Sequence, residues 1–275
     1  MKRNCIVFLF LLALILPGTA QASISDVSDA VEVPIIMYHK ITKDGGQLGK
    51  FAITPGEFEA DLQFLRDSGY EAVTMADLIR FVHEGEKLPE RPIVLTFDDG
   101  YFSDYLYLFP LLKQYDTRAV SSIIGRVTDE YTAEGREDIL YPHLLWSQIV
   151  EMVESGLVEI QNHGYDLHCT RGGSSGAKRR RGESEAAFAK RLSDDLMQLQ
   201  VRAEDILGTA PNTFTYPFGA KSDGTDAILK SVGFSASLMT EGKRNTLTPR
   251  DADCLFSLGR INRPHGRSLE AILAD

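Results

Sequence analysis

The run from Pro92 to Phe97, which leads directly into Asp98-Asp99-Gly100, constrains the fold of this chain more than any other feature. The run is apolar on both faces, which is typical of a central strand in a parallel sheet that helices cover on both sides. Two adjacent carboxylates at its carboxyl end cannot both stay ionised and unpaired in a half-buried pocket, because like charges raise each other's pKa. A bound cation would remove this conflict. The run therefore predicts an α/β fold with a charged site at the carboxyl end of a buried strand.

Strand and helix signals alternate along the chain. The predicted strands are 33–38, 92–97, 119–124, 157–161, one that ends at 216, and 234–238, and the predicted helices are 54–69, 74–84, 105–115, 144–154, 184–208 and 225–232. The clearest helix start is Thr54-Pro55-Gly56-Glu57, a capping box with proline at the first helical position. Because composition does not change along the alternation, we expect one α/β barrel-like domain over 33–275, preceded by a linker over 23–32.

The first 22 residues have the composition of a secretory signal. Lys2 and Arg3 form a basic start, eleven apolar residues run from Ile6 to Leu16, and Ala20-Gln21-Ala22 offers the small residues of a cleavage site. The apolar run is too short to span a bilayer comfortably. We therefore expect a mature chain without a stable membrane span that is secreted or resides in the periplasm or cell envelope.

Composition and charge exclude some classes of protein. The 275 residues are 43% hydrophobic and 25% charged, which suits a folded domain with a sizeable core. Removing Lys2 and Arg3 with the signal leaves 27 basic and 39 acidic residues, so the net charge changes from −10 to −12 and nucleic acid is not an expected partner. For Cys169 and Cys254 the sequence leaves open free thiols, one disulfide bridge, or contact of Cys169 with a metal.

His163 and His168 form the second chemical signal. The strand predicted over 157–161 places His163 at its carboxyl end and His168 on the following loop. This spacing alone is a weak motif, and Asp-Asp-Gly alone is also a common turn sequence. Their occurrence at successive strand ends favours a shared site. If Asp99 and both histidines ligate a divalent ion, one position stays open for water, and Asp98 is free to take a proton from it.

Three motifs together resemble the polysaccharide deacetylases of carbohydrate esterase family 4. They are Thr96-Phe97-Asp98-Asp99-Gly100, His163 with His168, and Thr215-Tyr216-Pro217-Phe218-Gly219. The segment Met37-Tyr38-His39 and the spacing of the two histidines resemble the branch that deacetylates poly-β-1,6-N-acetylglucosamine in biofilms. The resemblance covers roughly residues 33 to 265. It implies a distorted, incomplete (β/α) barrel with fewer than eight strands, a number that periodicity could not have shown.

The resemblance implies roles for individual residues. Asp98 would be the general base, and Asp99, His163 and His168 would ligate one divalent metal ion. Zinc is the expected ion, and cobalt, nickel or iron are alternatives for this set of ligands. The substrate-binding residues would be Tyr216, Pro217, Phe218 and Gly219. In this segment the backbone N–H of Phe218 would stabilise the negative charge that develops on the substrate's carbonyl oxygen.

The motifs leave two roles open, those of the general acid and of the residue that orients the base. In the biofilm branch the acid comes from the early Met-Tyr-His segment, which implies His39, while His265 near the end of the chain is the rival. Most family members have an arginine in the third motif that orients the base, and this chain has Thr215 there. Arg260 and Arg263 are the candidates to replace it.

Several other residues have a structural and a functional interpretation. We expect His83 and His143 to be surface or helix-end histidines, and Trp146 and Tyr101 to serve packing rather than a sugar-binding groove. The segment 171–181 has five positive charges among glycines and serines. A solvated loop is the expected state of this segment, and steering of an anionic polymer is the alternative.

These observations predict a secreted metal-dependent hydrolase that removes N-acetyl groups from N-acetylglucosamine residues of an extracellular polysaccharide, with poly-β-1,6-N-acetylglucosamine favoured. One alternative is a peptidoglycan or chitin deacetylase. Another is a non-catalytic carbohydrate-binding protein that kept the site for structural reasons. The intact Asp98 argues against this last class, because a binding module does not need a spare carboxylate beside the metal ligands.

Overall fold

A computed structural model describes residues 30–135, 143–171, 174–242 and 244–274. The predicted signal over 1–22 and most of the predicted linker over 23–32 lie outside the described residues, so both stay predictions. Within the described ranges, no helix has the length and apolar character needed to cross a membrane.

The described residues form short peripheral strands, the strands of one central sheet, and helices that pack around it. The strands are β1 (Val31–Val33), β2 (Ile35–Tyr38), β3 (Lys40–Ile41), β4 (Ala52–Ile53), β5 (Glu71–Ala72), β6 (Pro92–Asp99), β7 (Ala119–Ile123), β8 (Val158–Asn162), β9 (Thr170–Arg171), β10 (Ser174–Ser175), β11 (Thr213–Thr215), β12 (Ala236–Leu238), β13 (Asn245–Leu247) and β14 (Ile261–Asn262). The helices are α1 (Pro55–Asp67), α2 (Met75–Glu84), α3 (Phe109–Tyr115), α4 (Gly125–Glu134), α5 (Trp146–Glu154), α6 (Glu185–Leu207), α7 (Thr225–Ser231) and α8 (Leu269–Ala274).

The central sheet has the strand order β12-β11-β8-β7-β6-β2-β14, and β5 pairs with the start of β6. All these pairings are parallel. The sheet curls into a half-barrel, and its two ends approach each other where Leu238 forms a bridge with Leu258. The distorted, incomplete (β/α) barrel is therefore confirmed. The expectation of fewer than eight strands is wrong, because with β5 the central sheet has eight strands among the described residues. β6 lies inside this sheet and all eight of its residues are buried, as its apolar sequence predicts.

The helices follow the predicted signals closely in several places. α1 begins at Pro55 with the expected capping box, because the Thr54 hydroxyl accepts from the Glu57 N–H and the Glu57 carboxylate accepts from the Thr54 N–H. α1 buries Phe58, Leu62 and Leu65, and each such side chain contributes about 1.5–3 kcal/mol when it leaves water. α6 starts after Ser184 and ends at Gly208, as predicted.

Several short strands and α8 were not predicted, and two further helical elements differ from the sequence expectation. α4 was not predicted, because its sequence begins with glycine and buries only Gly125 and Thr128, so it has no apolar stripe. The predicted helix over 105–115 begins instead with a π-helical turn, Asp104–Leu108, and becomes α-helical only at Phe109.

The described residues of the glycine-rich basic segment, which leave out 172–173, include two paired strands and a buried residue. β9 and β10 pair as a short antiparallel hairpin, and Ala177 is fully buried. The expectation of a solvated loop is therefore wrong at Ala177, while residues 178–181 are exposed as expected.

The two cysteines are free thiols in the described part of the chain. The Cys169 thiol donates to the Asp166 carbonyl at 3.1 Å and is not a member of the Asp-His-His cluster described below. The structure therefore has free thiols rather than a disulfide, with Cys169 outside the candidate metal cluster.

Candidate active site

β6 carries Asp98 and Asp99 to the carboxyl edge of the sheet, where the strand ends abruptly. Asp99 has a φ of +75°, and Gly100 follows with a φ of +65°. A Cβ atom at Gly100 would lie only 2.9 Å from the Cγ2 atom of Ile123 on the neighbouring strand β7. Glycine is therefore required here by both conformation and space. The turn places the two neighbouring carboxylates in different surroundings.

Asp98 is held by a fully buried arginine. Two hydrogen bonds of 2.7 Å join Nη1 and Nη2 of Arg260 to Oδ1 and Oδ2 of Asp98. Arg260 also donates to the Thr96 hydroxyl at 3.0 Å and to the Met239 carbonyl at 2.7 Å. Burial opposes ionisation of Asp98, but the guanidinium outweighs it and lowers the pKa of this carboxyl below its usual value. Asp98 is therefore an oriented, ionised carboxylate.

Of the two arginines that the sequence left open, Arg260 is the one that contacts Asp98. Arg263 instead binds Asp61 of α1 through Nε at 2.8 Å and Nη2 at 3.0 Å. Asp61 also accepts a hydrogen bond from the Tyr38 hydroxyl at 3.1 Å. Arg263 thus joins the end of the chain to α1 and β2.

Asp99 lies with His163 and His168 in a second cluster. The candidate ligand atoms of the three residues all lie within 4.8 Å of one another. The Nε2 atoms of His163 and His168 are 3.4 Å and 3.3 Å from Oδ1 of Asp99. The Nδ1 atom of His163 lies 2.8 Å from the Thr215 carbonyl. In the tautomer that donates to this carbonyl, Nε2 keeps a lone pair for the cluster.

This cluster fits a divalent cation. Oδ1 of Asp99 is buried and has no hydrogen-bond partner among the residues that the structure describes, which is costly for a carboxylate. Burial opposes ionisation of Asp99, yet the two imidazoles hold its pKa well below the usual range, so it is anionic as a ligand must be. One carboxylate and two imidazoles are a typical catalytic set that leaves a coordination position open. The structure therefore has a possible Asp-His-His metal site where the sequence predicted one.

His39 borders the same space, directly after β2. Its Nε2 atom lies 3.8 Å from Oδ2 of Asp98, and its Nδ1 atom is buried without a hydrogen-bond partner in the described segments. Burial lowers the pKa of His39, although the carboxylates of Asp98 and Asp99 act in the opposite direction. His265 lies elsewhere, at the start of α1, with Nδ1 2.8 Å from a carboxylate oxygen of Glu57. The geometry thus brings His39 to the candidate site and not His265.

The buried part of the third motif, which consists of Thr215, Tyr216 and Pro217, holds this segment beside the candidate site. The Thr215 hydroxyl lies 2.7 Å from that of Ser122, and its carbonyl faces His163 as described above. Tyr216 is fully buried and its hydroxyl donates to Asp226 at 2.6 Å. Pro217 is also buried. The side chains of Tyr216 and Pro217 are therefore positioned to hold this segment rather than to meet a polymer at the surface.

Phe218 and Gly219 form the exposed part of that segment. Phe218 has a φ of +61°, and its half-exposed ring lies 4.4 Å from the ring of His168, measured between centroids. Gly219 has a φ of +62°, and a Cβ atom there would lie 2.1 Å from the Thr240 hydroxyl. This turn therefore requires glycine and fixes the peptide of Phe218 beside the candidate metal ligands.

His143 is a site residue that the sequence expectation missed. Instead of lying on the surface, its ring packs against Tyr101 at 5.3 Å, and its Nδ1 atom lies 3.0 Å from the Asp99 carbonyl. Both side chains line a cleft that opens beside the cluster; the other lining residues are Asp99, Ile124, Arg126, Val127, Asp166 and His168. No local pattern signals this contact, because His143 and Asp99 are 44 residues apart.

The remaining expectations for single residues hold. Trp146 is buried, and its indole N–H donates to Asp129 at 2.7 Å, so it serves packing. His83 is exposed in the last turn of α2.

Comparison with known proteins identifies the family to which this fold and site belong. A family model described as polysaccharide deacetylase matches residues 85–237. The match covers more than half of the chain and includes all three motifs. The chain therefore belongs to the polysaccharide deacetylase family, as its motifs indicated.

Individual relatives are similar at modest identity. YxkH of Bacillus subtilis is 28% identical over 210 residues, which is 76% of this chain and 65% of that protein. The poly-β-1,6-N-acetyl-D-glucosamine N-deacetylase of Escherichia coli K12 is 26% identical over 218 residues, which is 72% of this chain and 32% of that enzyme. This chain thus spans less than two thirds of the length of both. The structure of IcaB from Ammonifex degensii matches with a TM-score of 0.69 and 27% identity, over 88% of this chain and 94% of that one.

Proposed function

We propose that this protein is a secreted, metal-dependent N-deacetylase that removes acetyl groups from N-acetylglucosamine residues of an extracellular polysaccharide. Poly-β-1,6-N-acetylglucosamine is the favoured polymer, because the Escherichia coli relative is named for that substrate. The proposal rests on one observation, which is that the two adjacent carboxylates have different partners. Asp98 is bound by Arg260, whereas Asp99 faces two histidines, so one carboxylate can act as a base while the other holds an ion.

Asp99, His163 and His168 are the residues that would hold the ion. When bound there, a divalent cation would polarise the acetamide carbonyl and make a water molecule more acidic. Zinc is the proposed ion, and the same ligands also accept cobalt, nickel or iron.

The other residues of the site handle the protons. Asp98 takes a proton from the attacking water, and Arg260 keeps both of its oxygens oriented and ionised for this task. His39, whose Nε2 lies 3.8 Å from Oδ2 of Asp98, relays the proton that Asp98 has taken and gives it to the amine as the carbon–nitrogen bond breaks. The products are acetate and a glucosamine unit with a free amino group.

The segment around Phe218 is proposed to stabilise charge. Its backbone N–H would donate to the carbonyl oxygen as negative charge develops there. The left-handed conformation of Phe218 and the close approach of Gly219 to Thr240 fix this peptide in advance, which such a donor requires.

Acetate release from β-1,6-linked N-acetylglucosamine oligomers tests the proposal. We expect release by the wild-type protein, loss of release with a chelator, and recovery with added zinc. Asp98→Asn should lower the rate at least about 100-fold, because general-base catalysis contributes factors of this order. Undiminished release by Asp98→Asn would refute the role of Asp98 as base.

The same assay separates the alternatives. Faster release from β-1,4-linked oligomers would favour a chitin or peptidoglycan deacetylase. Binding of oligomers without acetate release under any metal condition would favour a non-catalytic carbohydrate-binding protein.

A further inference from the structure

Two exposed aromatic rings contact histidines of the candidate site. The exposed large hydrophobic residues of the described chain are Phe51, Leu106, Met197, Val201 and Phe218. Phe51 is 47% exposed and its ring centroid lies 4.6 Å from that of His39. Phe218 is 51% exposed and lies against His168. Both aromatic members of this set therefore contact histidines of the site.

The two rings lie at the ends of one line of contacts. Phe51 contacts His39, which approaches Asp98, and Asp98 is followed by Asp99, which approaches His168 and so Phe218. Both rings therefore contact side chains that surround the two carboxylates, where the acetamide of a sugar unit would lie.

Phe51 is held in place although its side chain is exposed. Its carbonyl accepts from the Lys40 N–H at 3.1 Å, directly after His39. The carbonyl of Lys50 accepts from the Asn262 side chain at 2.9 Å, and the carbonyl of Gly49 accepts from the His265 N–H at 2.9 Å. Three successive carbonyls thus anchor the backbone of the turn that carries the ring, and the Nζ atom of Lys50 lies 4.9 Å from the ring centroid.

An exposed, anchored aromatic ring suits a sugar. A pyranose ring has apolar C–H faces and hydroxyl groups at its rim, and the negative face of an aromatic ring attracts the slightly positive C–H groups. A flat ring is also already ordered, so little conformational freedom is lost on binding.

We infer that Phe51 is a carbohydrate-stacking platform on the His39 side of the site, and that the side chain of Phe218 is its counterpart on the His168 side. The inference rests on the proposed function and deepens it, because it names how sugar units next to the reactive acetamide are bound. It also gives the Phe218 side chain a role separate from that of its backbone N–H.

Binding without turnover tests the platform directly. Titration calorimetry would use a β-1,6-linked N-acetylglucosamine pentamer and the Asp98→Asn protein with zinc, so that substrate is not consumed. We expect Phe51→Ala to raise Kd about tenfold, the scale of one good aromatic contact, and Phe218→Ala, which keeps its backbone N–H, to do the same. Phe51→Trp should bind at least as tightly as the parent, with a change in its fluorescence on binding. Met197→Ala, an exposed apolar position on α6, is the control and should leave Kd unchanged.

A substrate without a sugar shows whether Phe51 acts by binding the polymer or by positioning His39. In the active protein, Phe51→Ala should lower kcat/KM for the pentamer about tenfold but change hydrolysis of 4-nitrophenyl acetate less than about twofold. An equal fall with both substrates would overturn the inference, since the ring would then act through His39. An unchanged Kd in Phe51→Ala would overturn it as well. If the wild-type protein releases no acetate while Phe51→Ala still weakens binding of the pentamer, the proposed function fails and the platform stands.

Discussion

Asp98 and Asp99 are neighbours in sequence, yet each has its own partners. The left-handed turn at Asp99 separates them, so Asp98 meets a guanidinium while Asp99 meets imidazoles. This difference resolves the conflict between like charges that the sequence posed.

Removal of the Arg260 charge should destabilise the protein strongly. Arg260→Met leaves Asp98 buried without its partner, and loss of one member of a buried ion pair costs about 3–5 kcal/mol. Urea unfolding of the metal-free protein measures this loss. Arg66→Met, at an arginine whose side chain is 65% exposed, is the matched control and should change stability by less than about 0.5 kcal/mol. Equal stability of the two variants would contradict the account of Arg260.

The sequence predicted some site residues and not others for a physical reason. Asp98, Asp99, His163 and His168 lie in short local motifs at strand ends, and the structure brings all four to one edge. The partner of Asp98 could not be chosen from the sequence, because Arg260 is 162 residues away and a local pattern says nothing about which arginine arrives there. His143 was missed for the same reason.

At the scale of elements, the end of β6 depends on a single glycine. Gly100→Ala forces a side chain into a left-handed conformation and against Ile123 of β7. Gly135→Ala is the matched control, since Gly135 has a φ of +62° but open space around its Cβ position. We expect the left-handed conformation to lower the free energy of unfolding of both variants by about 1–2 kcal/mol. Only Gly100→Ala should lose more, because only its new side chain meets Ile123.

Urea unfolding of both glycine variants measures the difference. Gly100→Ala should also weaken zinc binding, because the turn that orients Asp99 must shift, whereas Gly135→Ala should not. The same loss of stability in both variants, with the same zinc affinity, would show that the contact with Ile123 does not matter.

Elements with a local chemical signal were predictable, and elements without one were not. The predicted capping box at Thr54 is present, and Thr74 forms a second one with Asp77, because the two residues of each box lie only three positions apart in sequence. α4 lacks an apolar stripe, so only its place between β7 and the later strands reveals it. The π-helical turn before Phe109 has the same amphipathic residues as an α-helix, and periodicity could not distinguish the two.

At the scale of the whole molecule, Glu57 joins the start of α1 to the end of the chain. Its carboxylate accepts hydrogen bonds from the N–H groups of Thr54 and Gly266 and contacts His265. Burial opposes ionisation, but these hydrogen bonds outweigh it and lower the pKa of Glu57 from 4.5 to about 2. Since the folded protein holds this carboxylate ionised, its stabilising contribution is complete above pH 4.5 and is lost as the pH falls toward 2.

In Glu57→Gln the free energy of unfolding should therefore decrease less than in the wild-type protein as the pH falls from 4.5 to 2. The shift in the pKa of Glu57 corresponds to at most about 3 kcal/mol of unfolding free energy. Thermal or urea unfolding across this range measures the effect, with Glu90→Gln at an exposed position as the control. A Glu57→Gln curve that runs parallel to that of the wild-type protein would contradict the role of this contact.

The number and order of strands in the sheet lay beyond the sequence signals. The alternation of strands and helices predicted a parallel α/β domain, but the order of strands depends on contacts between distant segments, such as β14 beside β2. The family resemblance supplied the incomplete barrel, and the curled sheet confirms it.

Diffraction at the zinc absorption edge, from crystals grown with zinc, tests the central claim most directly. We expect one anomalous peak about 2.0–2.2 Å from a carboxylate oxygen of Asp99 and from the Nε2 atoms of His163 and His168, with Asp98 still bound to Arg260. The absence of a peak at these three side chains, or a peak that has Asp98 in place of Asp99 as a ligand, would contradict it.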